Sequence, residues 1–156
     1  KRELRKQVAV SPEPEEIVDA TNLILGRMAT NVAKQALNGK RVIVVNAEKA
    51  VISGTKERVV ARAKTKLQTR TLASQEKAPT HPRRPDTYVR RVIRGMLPWK
   101  KSRGKQAFHR VRVYMGIPPD YLGKLFSRPS YADASRLKVP YVSVAQLAEQ
   151  IGGVPA

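Results

Sequence analysis

The side chains in this 156-residue chain best suited to moving protons near neutral pH are two histidines, His81 and His109. Neither has a recognisable serine or acidic partner, so neither forms the oriented base of a nucleophilic triad, and both read as packing or phosphate-contacting residues. The chain has no cysteine, which removes disulfides, thiol nucleophiles and thiolate metal ligands together. Two histidines without cysteine also make a poor zinc site. The 12 acidic residues are scattered, with Glu15-Glu16 as the adjacent pair, and they suit a solvated surface better than the paired carboxylates of glycosidase or two-metal chemistry. Gly39-Lys40 and Gly54-Thr55-Lys56 lack the upstream glycine of a phosphate-binding loop, and no G-x-G-x-x-G occurs. Gly26 and Gly54, at the starts of helical patterns, read first as tight turns and second as backbone anion contacts. No enzyme, cofactor, metal or small-molecule substrate is expected.

The abundant chemistry is cationic. Thirty-one Lys and Arg face those 12 acids, a formal charge of +19, and residues 77–119 alone supply +11 of it from 12 basic residues and one acid. Arg83-Arg84, Arg90-Arg91, Arg94, Trp99-Lys100-Lys101, Arg103 and Lys105 fall there. Guanidinium and ammonium groups interleaved with an aromatic neutralise phosphates and stack on exposed bases. Soluble surfaces normally mix signs, so an acid-free run argues for a polyanion partner. Trp99 reads either as a core anchor or as a ring facing RNA. No helix-turn-helix, zinc finger, basic zipper or aromatic RNA-sheet motif is present, so shape and phosphate contacts should dominate over base reading.

These residues need a scaffold. Residues 1–14 are polar, with two prolines, and read as a tail; a single α/β domain is expected over 15–153. Ile17 to Asp19 suits a short strand. Leu25, Met28, Ala29, Val32 and Ala36 recur at helical spacing, and Asn38-Gly39 supplies a stop. Val42 to Val45 is a continuous β-branched run, as in a parallel-sheet strand covered on both faces. Ala50 to Ile52 is a shorter strand. Ser53-Gly54-Thr55 should cap a helix reaching about Leu72, on which Arg58, Arg62, Lys66 and Arg70 recur every four residues and so form one stripe. Pro79, Pro82 and Pro85 predict an extended connector from Ala73 to Arg84. The apolar template of Val89, Val92, Ile93, Met96 and Leu97 predicts a helix ended by Pro98, with Arg90, Arg91 and Arg94 opposite. Ser102 should cap a short helix to Arg110. Val111 to Met115 and Tyr141-Val142 read as strands, and Ser143 with Gln146 as a capping box for a last helix. No run of about 18 apolar residues exists to span a bilayer, and acids follow the basic start, so neither membrane insertion nor export is expected.

Three stretches in order carry a resemblance: Asp19-Ala20 with Leu25-Gly26-Arg27-Met28-Ala29; Val45-Asn46-Ala47-Glu48-Lys49 through Ser53-Gly54-Thr55-Lys56; and Arg94-Gly95-Met96-Leu97-Pro98 running on to Val113-Tyr114. Over about Glu15 to Gly153 they closely resemble the family of the universal large-subunit ribosomal protein thirteen. Arg94 to Lys101 with Arg103-Gly104, and Gly116 to Tyr121, look more like its archaeal and eukaryotic members, and Trp99 and the short C-terminus point to the archaeal ones. The resemblance implies a three-layer α/β/α fold with a central, mostly parallel sheet of about four strands. It also implies binding to large-subunit ribosomal RNA beside neighbouring ribosomal proteins, a role in assembly and architecture without catalysis, and a place in the cytoplasmic large subunit. The cationic positions it carries over are Arg27, Lys49, Lys56, Arg94, Lys100, Lys101 and Arg103. A nucleoid-type DNA-binding protein is the alternative that charge alone leaves open.

Overall fold

The β-branched run becomes the middle strand of a three-stranded parallel sheet. β1 (Glu15–Asp19) and β2 (Arg41–Val45) pair with Ile17 beside Ile43, and Val42 lies beside Val111 of a short edge strand at Val111–Val113. The structure is a computed structural model describing residues 15–69, 71, 73, 76 and 78–153. The expected tail, with Arg70, Leu72 and Lys77, lies outside the described residues. Alternation along β2 buries both faces, as expected of a parallel strand. Val42 and Val44 join Val18 and Val111 in the main core, whereas Ile43 and Val45 join Ile17 on the other side.

The α/β class and the parallel sheet hold; the finer layout differs. The central sheet has three strands, while β3 (Val51–Ser53) pairs antiparallel with Tyr141–Ser143 as a separate ribbon, Ile52 opposite Val142. In chain order the edge strand is β4 and Tyr141–Ser143 is β5. α1 (Leu25–Leu37), α3 (Pro85–Met96) and α4 (Ser102–His109) all pack on the main-core face. Among the described residues the opposite face is covered by Tyr114 and Tyr121 from a loop, not by a helix. Pro118 and Pro119 explain this: with two N–H donors missing, the segment closes one 3₁₀ turn at Pro119–Tyr121 and stops.

α1 buries Leu25, Met28, Ala29, Val32, Ala33 and Ala36 and ends as read, with Asn38 as its C-cap and Gly39 at φ +93° beyond it. α3 starts on Pro85, whose missing N–H costs nothing at a helix start, and buries Val89 and Ile93; Met96 is instead exposed. α4 is capped at Lys101, so Ser102 is its first helical residue and not its cap. α2 (Lys56–Gln68) is shorter than its pattern suggests, and the expected Thr55 cap makes no side-chain hydrogen bond. Its Ala63, Val59, Val60 and Leu67 pack with Leu147 and Ile151 in and just after α5 (Val144–Gln150). The capping box at Ser143 and Gln146 is present with both bonds at 3.2 Å.

At the C-terminal ends of β1 and β2, one Asp19 carboxylate oxygen accepts from the Thr21 hydroxyl (2.7 Å), the Thr21 N–H (3.1 Å) and the Asn46 amide (2.9 Å). Burial pushes the Asp19 carboxyl up, but those three bonds and the charge of Arg128 outweigh it and hold it below the ordinary carboxylate value.

Candidate nucleic-acid interface

The basic segment is organised by α3, α4 and the turn between them. Leu97 leaves the helical conformation before Pro98, and the chain turns back so that α4 lies against that turn. Gly104 makes the approach possible: it is buried against the Pro98 carbonyl, where any Cβ would collide with backbone. The turn thereby brings Trp99 edge-on to Phe108, with ring centroids 5.3 Å apart and planes at 90°.

Two arginines four residues apart on α3 close the stack. The Arg94 guanidinium lies 3.8 Å from the centroid of Trp99, and that of Arg90 lies 4.7 Å from the centroid of Phe108. The order is therefore Arg94, Trp99, Phe108, Arg90, each half-buried. A cation laid on a ring gains about 0.5–1 kcal/mol at an exposed site and loses rotamer freedom before any ligand arrives. Arg90 Nε is buried without a hydrogen-bond partner. The expectation that Arg90, Arg91 and Arg94 share the face opposite the core is thus corrected. Arg91 is exposed, whereas Arg90 and Arg94 lean onto the rings because ring contact offsets their partial desolvation. Phe108 was not singled out from sequence; its nearest signal is its place one turn beyond Gly104 on α4.

Lys100 and Lys101, which follow Trp99 in the turn, and Lys105 on α4 are exposed cations. Arg103 donates to the Leu37 carbonyl (3.3 Å), tying α4 to the C-terminus of α1, where a cation also meets the negative end of the helix. Arg84 lies 3.5 Å from Asp86, and among the described residues it is the one candidate with a carboxylate in ion-pair range. Arg83 is exposed and lies against Gly152 and Gly153 beyond α5.

Arg58, Arg62 and Lys66 are exposed along α2, and Arg70 lies outside the described residues. This stripe adjoins α3: burial raises the Tyr88 phenol above its ordinary value while the charge of Arg62 pulls it back. Arg27 donates to the Tyr131 carbonyl (3.1 Å); Lys49 is exposed in the 3₁₀ turn after β2, and Lys56 is exposed at the start of α2. These three are on elements other than α3 and α4.

No group of three His, Cys, Asp or Glu among the described residues is placed to hold a metal ion, and no helix among them is long and apolar enough to cross a membrane. His81 contacts the Thr69 carbonyl at 3.3 Å, and His109 is exposed in the last turn of α4.

Comparison with known proteins agrees with the motif reading. A family model described as Ribosomal protein L13 matches residues 14–120. The large ribosomal subunit protein uL13 of Archaeoglobus fulgidus is 44% identical over 140 residues, covering 87% of this chain and 86% of that protein. The uL13 of Methanopyrus kandleri is 43% identical over 146 residues, covering 92% and 90%, and that of Sulfurisphaera tokodaii is 46% identical over 138 residues, covering 88% and 94%.

Proposed function

The chain belongs to the ribosomal protein L13 family, and from that premise we propose that it is a structural constituent of the large ribosomal subunit that binds large-subunit ribosomal RNA through phosphate contacts and supports subunit assembly. It is not an enzyme. The observation that carries the RNA reading is the Arg94, Trp99, Phe108, Arg90 stack. Two guanidiniums are held on aromatic rings with no carboxylate of a described residue in ion-pair range, so their terminal NH₂ groups, unlike the buried Arg90 Nε, remain for phosphate oxygens. Lys100, Lys101, Arg103, Lys105 and Arg91 extend that face, and Arg83 and Arg84 continue it toward the connector. Arg58, Arg62, Lys66 and Arg70 supply a second line of phosphate contacts along and beyond α2, and Arg27, Lys49 and Lys56 serve contacts at the edge of the footprint. Residues 15–153 act as one RNA-binding unit beside neighbouring large-subunit proteins, in the cytoplasm.

The test has two arms. The protein should co-sediment with large subunits in a lysate gradient at moderate salt, and its absence from that fraction refutes the assignment. If about 6 to 10 phosphates are neutralised, affinity for large-subunit ribosomal RNA should fall roughly 10³- to 10⁵-fold between 50 and 200 mM salt. Structured ribosomal RNA should outcompete duplex DNA; equal competition would favour a DNA-packaging protein instead.

A further inference from the structure

A second group of cations is brought together by the fold: Arg110 and Arg112 come from the basic stretch 77–119, and Arg41 from far upstream. Arg41 opens β2, Arg112 is the middle residue of β4, and Gln106, His109 and Arg110 end α4; together they line one cleft of about 360 Å³. Pairing assembles it. Ile43 lies beside Arg112 in the parallel register, so Arg112 shares the sheet face on which Arg41 and Ile43 stand, opposite the face of Val42 and Val44. The Val42 N–H donates to the Arg110 carbonyl at 3.1 Å, which fixes the end of α4 against the start of β2.

The electrostatics favour an anion. No carboxylate of a described residue lines the cleft. Glu15, across the sheet from Arg41, lies 3.6 Å from Lys124, and Glu16 lies 3.0 Å from Lys40, so the two nearest acids in sequence register already have cations. The C-terminus of α4 contributes roughly −0.5 of a charge, set against the guanidiniums of Arg41 and Arg112 alone. Among the described residues the lining has no Trp, Tyr or Phe, so its dominant chemistry is cationic and suits phosphate.

We propose that the cleft of Arg41, Gln106, His109, Arg110 and Arg112 binds backbone phosphate of ribosomal RNA, at a place distinct from the α3–α4 stack. The proposal rests on the RNA-binding reading above and adds a second point of attachment to it. Gln106 projects about 200° around α4 from Phe108, which places it on a different face of the helix from the stack.

The test compares the full chain with an Arg41→Gln/Arg112→Gln double variant; both arginines are exposed, and circular dichroism checks that the fold is retained. Filter binding to in vitro transcribed large-subunit ribosomal RNA across a salt series gives affinity and slope. Diethyl pyrocarbonate footprinting read by mass spectrometry reports on the two histidines separately, His109 in the cleft and His81 on the connector. RNA should protect His109 in the parent and not in the double variant, whose affinity should fall about tenfold while the slope of log affinity against log salt drops by about 1. RNA that binds the parent with an unchanged slope in the variant and no His109 protection overturns the cleft while leaving the main reading intact. Sodium pyrophosphate is the second probe: protection of His109 by pyrophosphate but not by RNA overturns the RNA assignment in favour of a small phosphate. A parent that binds no RNA overturns both readings.

Discussion

Replacing Trp99 by leucine should weaken RNA binding without removing a single charge. In the folded chain the Trp99 ring carries Arg94 at 3.8 Å and meets Phe108 edge-on at 5.3 Å. The cation–ring contact is worth about 0.5–1 kcal/mol at a half-exposed position, and the ring pair about 0.5–1.5 kcal/mol. The ring-pair loss falls on folding stability, whereas loss of the Arg94 contact frees a side chain that RNA must then immobilise. At 1.4 kcal/mol per tenfold, affinity should drop about 2- to 5-fold. Filter binding at 50, 100 and 200 mM salt separates this from charge removal. Trp99→Leu should leave the salt slope unchanged, whereas Arg94→Gln should lower it by about 0.7–0.9. The double variant decides the matter: if Trp99 works by holding Arg94, Trp99→Leu has no further effect once Arg94 is glutamine. An undiminished effect there would refute the reasoning and make Trp99 a platform for a base, an interaction worth about 1–3 kcal/mol.

The Asp19 cluster predicts acid sensitivity. Its folded value lies below the unfolded one, so its contribution is present above the unfolded value of about 3.9 and is lost as pH falls through the folded value. Asp19→Asn should therefore be less stable than the parent in urea at pH 6, with the gap closing toward pH 3; a pH-independent gap contradicts this. Gly104→Ala should cost about 1–3 kcal/mol by forcing a methyl onto the Pro98 carbonyl, seen as a lowered Tm. Gly95→Ala, on an open face of α3, should instead raise stability by about 0.5–1 kcal/mol. Ser143→Ala should cost about 1 kcal/mol in denaturant unfolding by removing the capping box of α5.

Patterns confined to one element were legible. The apolar spacing of α1, the β-branched run of β2 and the Ser143-Gln146 box are each written within a few neighbouring residues, and each forms as read. What could not be read depends on residues remote in the chain. The opposite sheet face is closed by Tyr114 and Tyr121, which lie in an irregular stretch with no period to find. α2 stops at Gln68, where Thr69 turns extended as its C-cap, a boundary that charge spacing does not encode. At the interface, sequence located the basic segment but left Trp99 undecided. The choice was made by Phe108 and Arg94, brought against it by a turn whose tightness depends on Gly104. Arg41 precedes the β-branched run and Arg112 lies inside the Val111 to Met115 pattern, and only the register of β2 with β4 joins them.

The pairing of β3 with β5 imposes an order on synthesis. Every strand of the parallel sheet, and the whole α3–α4 stack, has been synthesised once Val113 is made. β3 then still lacks a partner, because Tyr141–Ser143 follows β4 in the chain, and α2 lacks α5 to cover Ala63 and Leu67. The nascent protein can therefore assemble its cationic face while the β3–β5 ribbon remains open, and the closing contacts form only after Tyr141–Ser143 and α5 have been made.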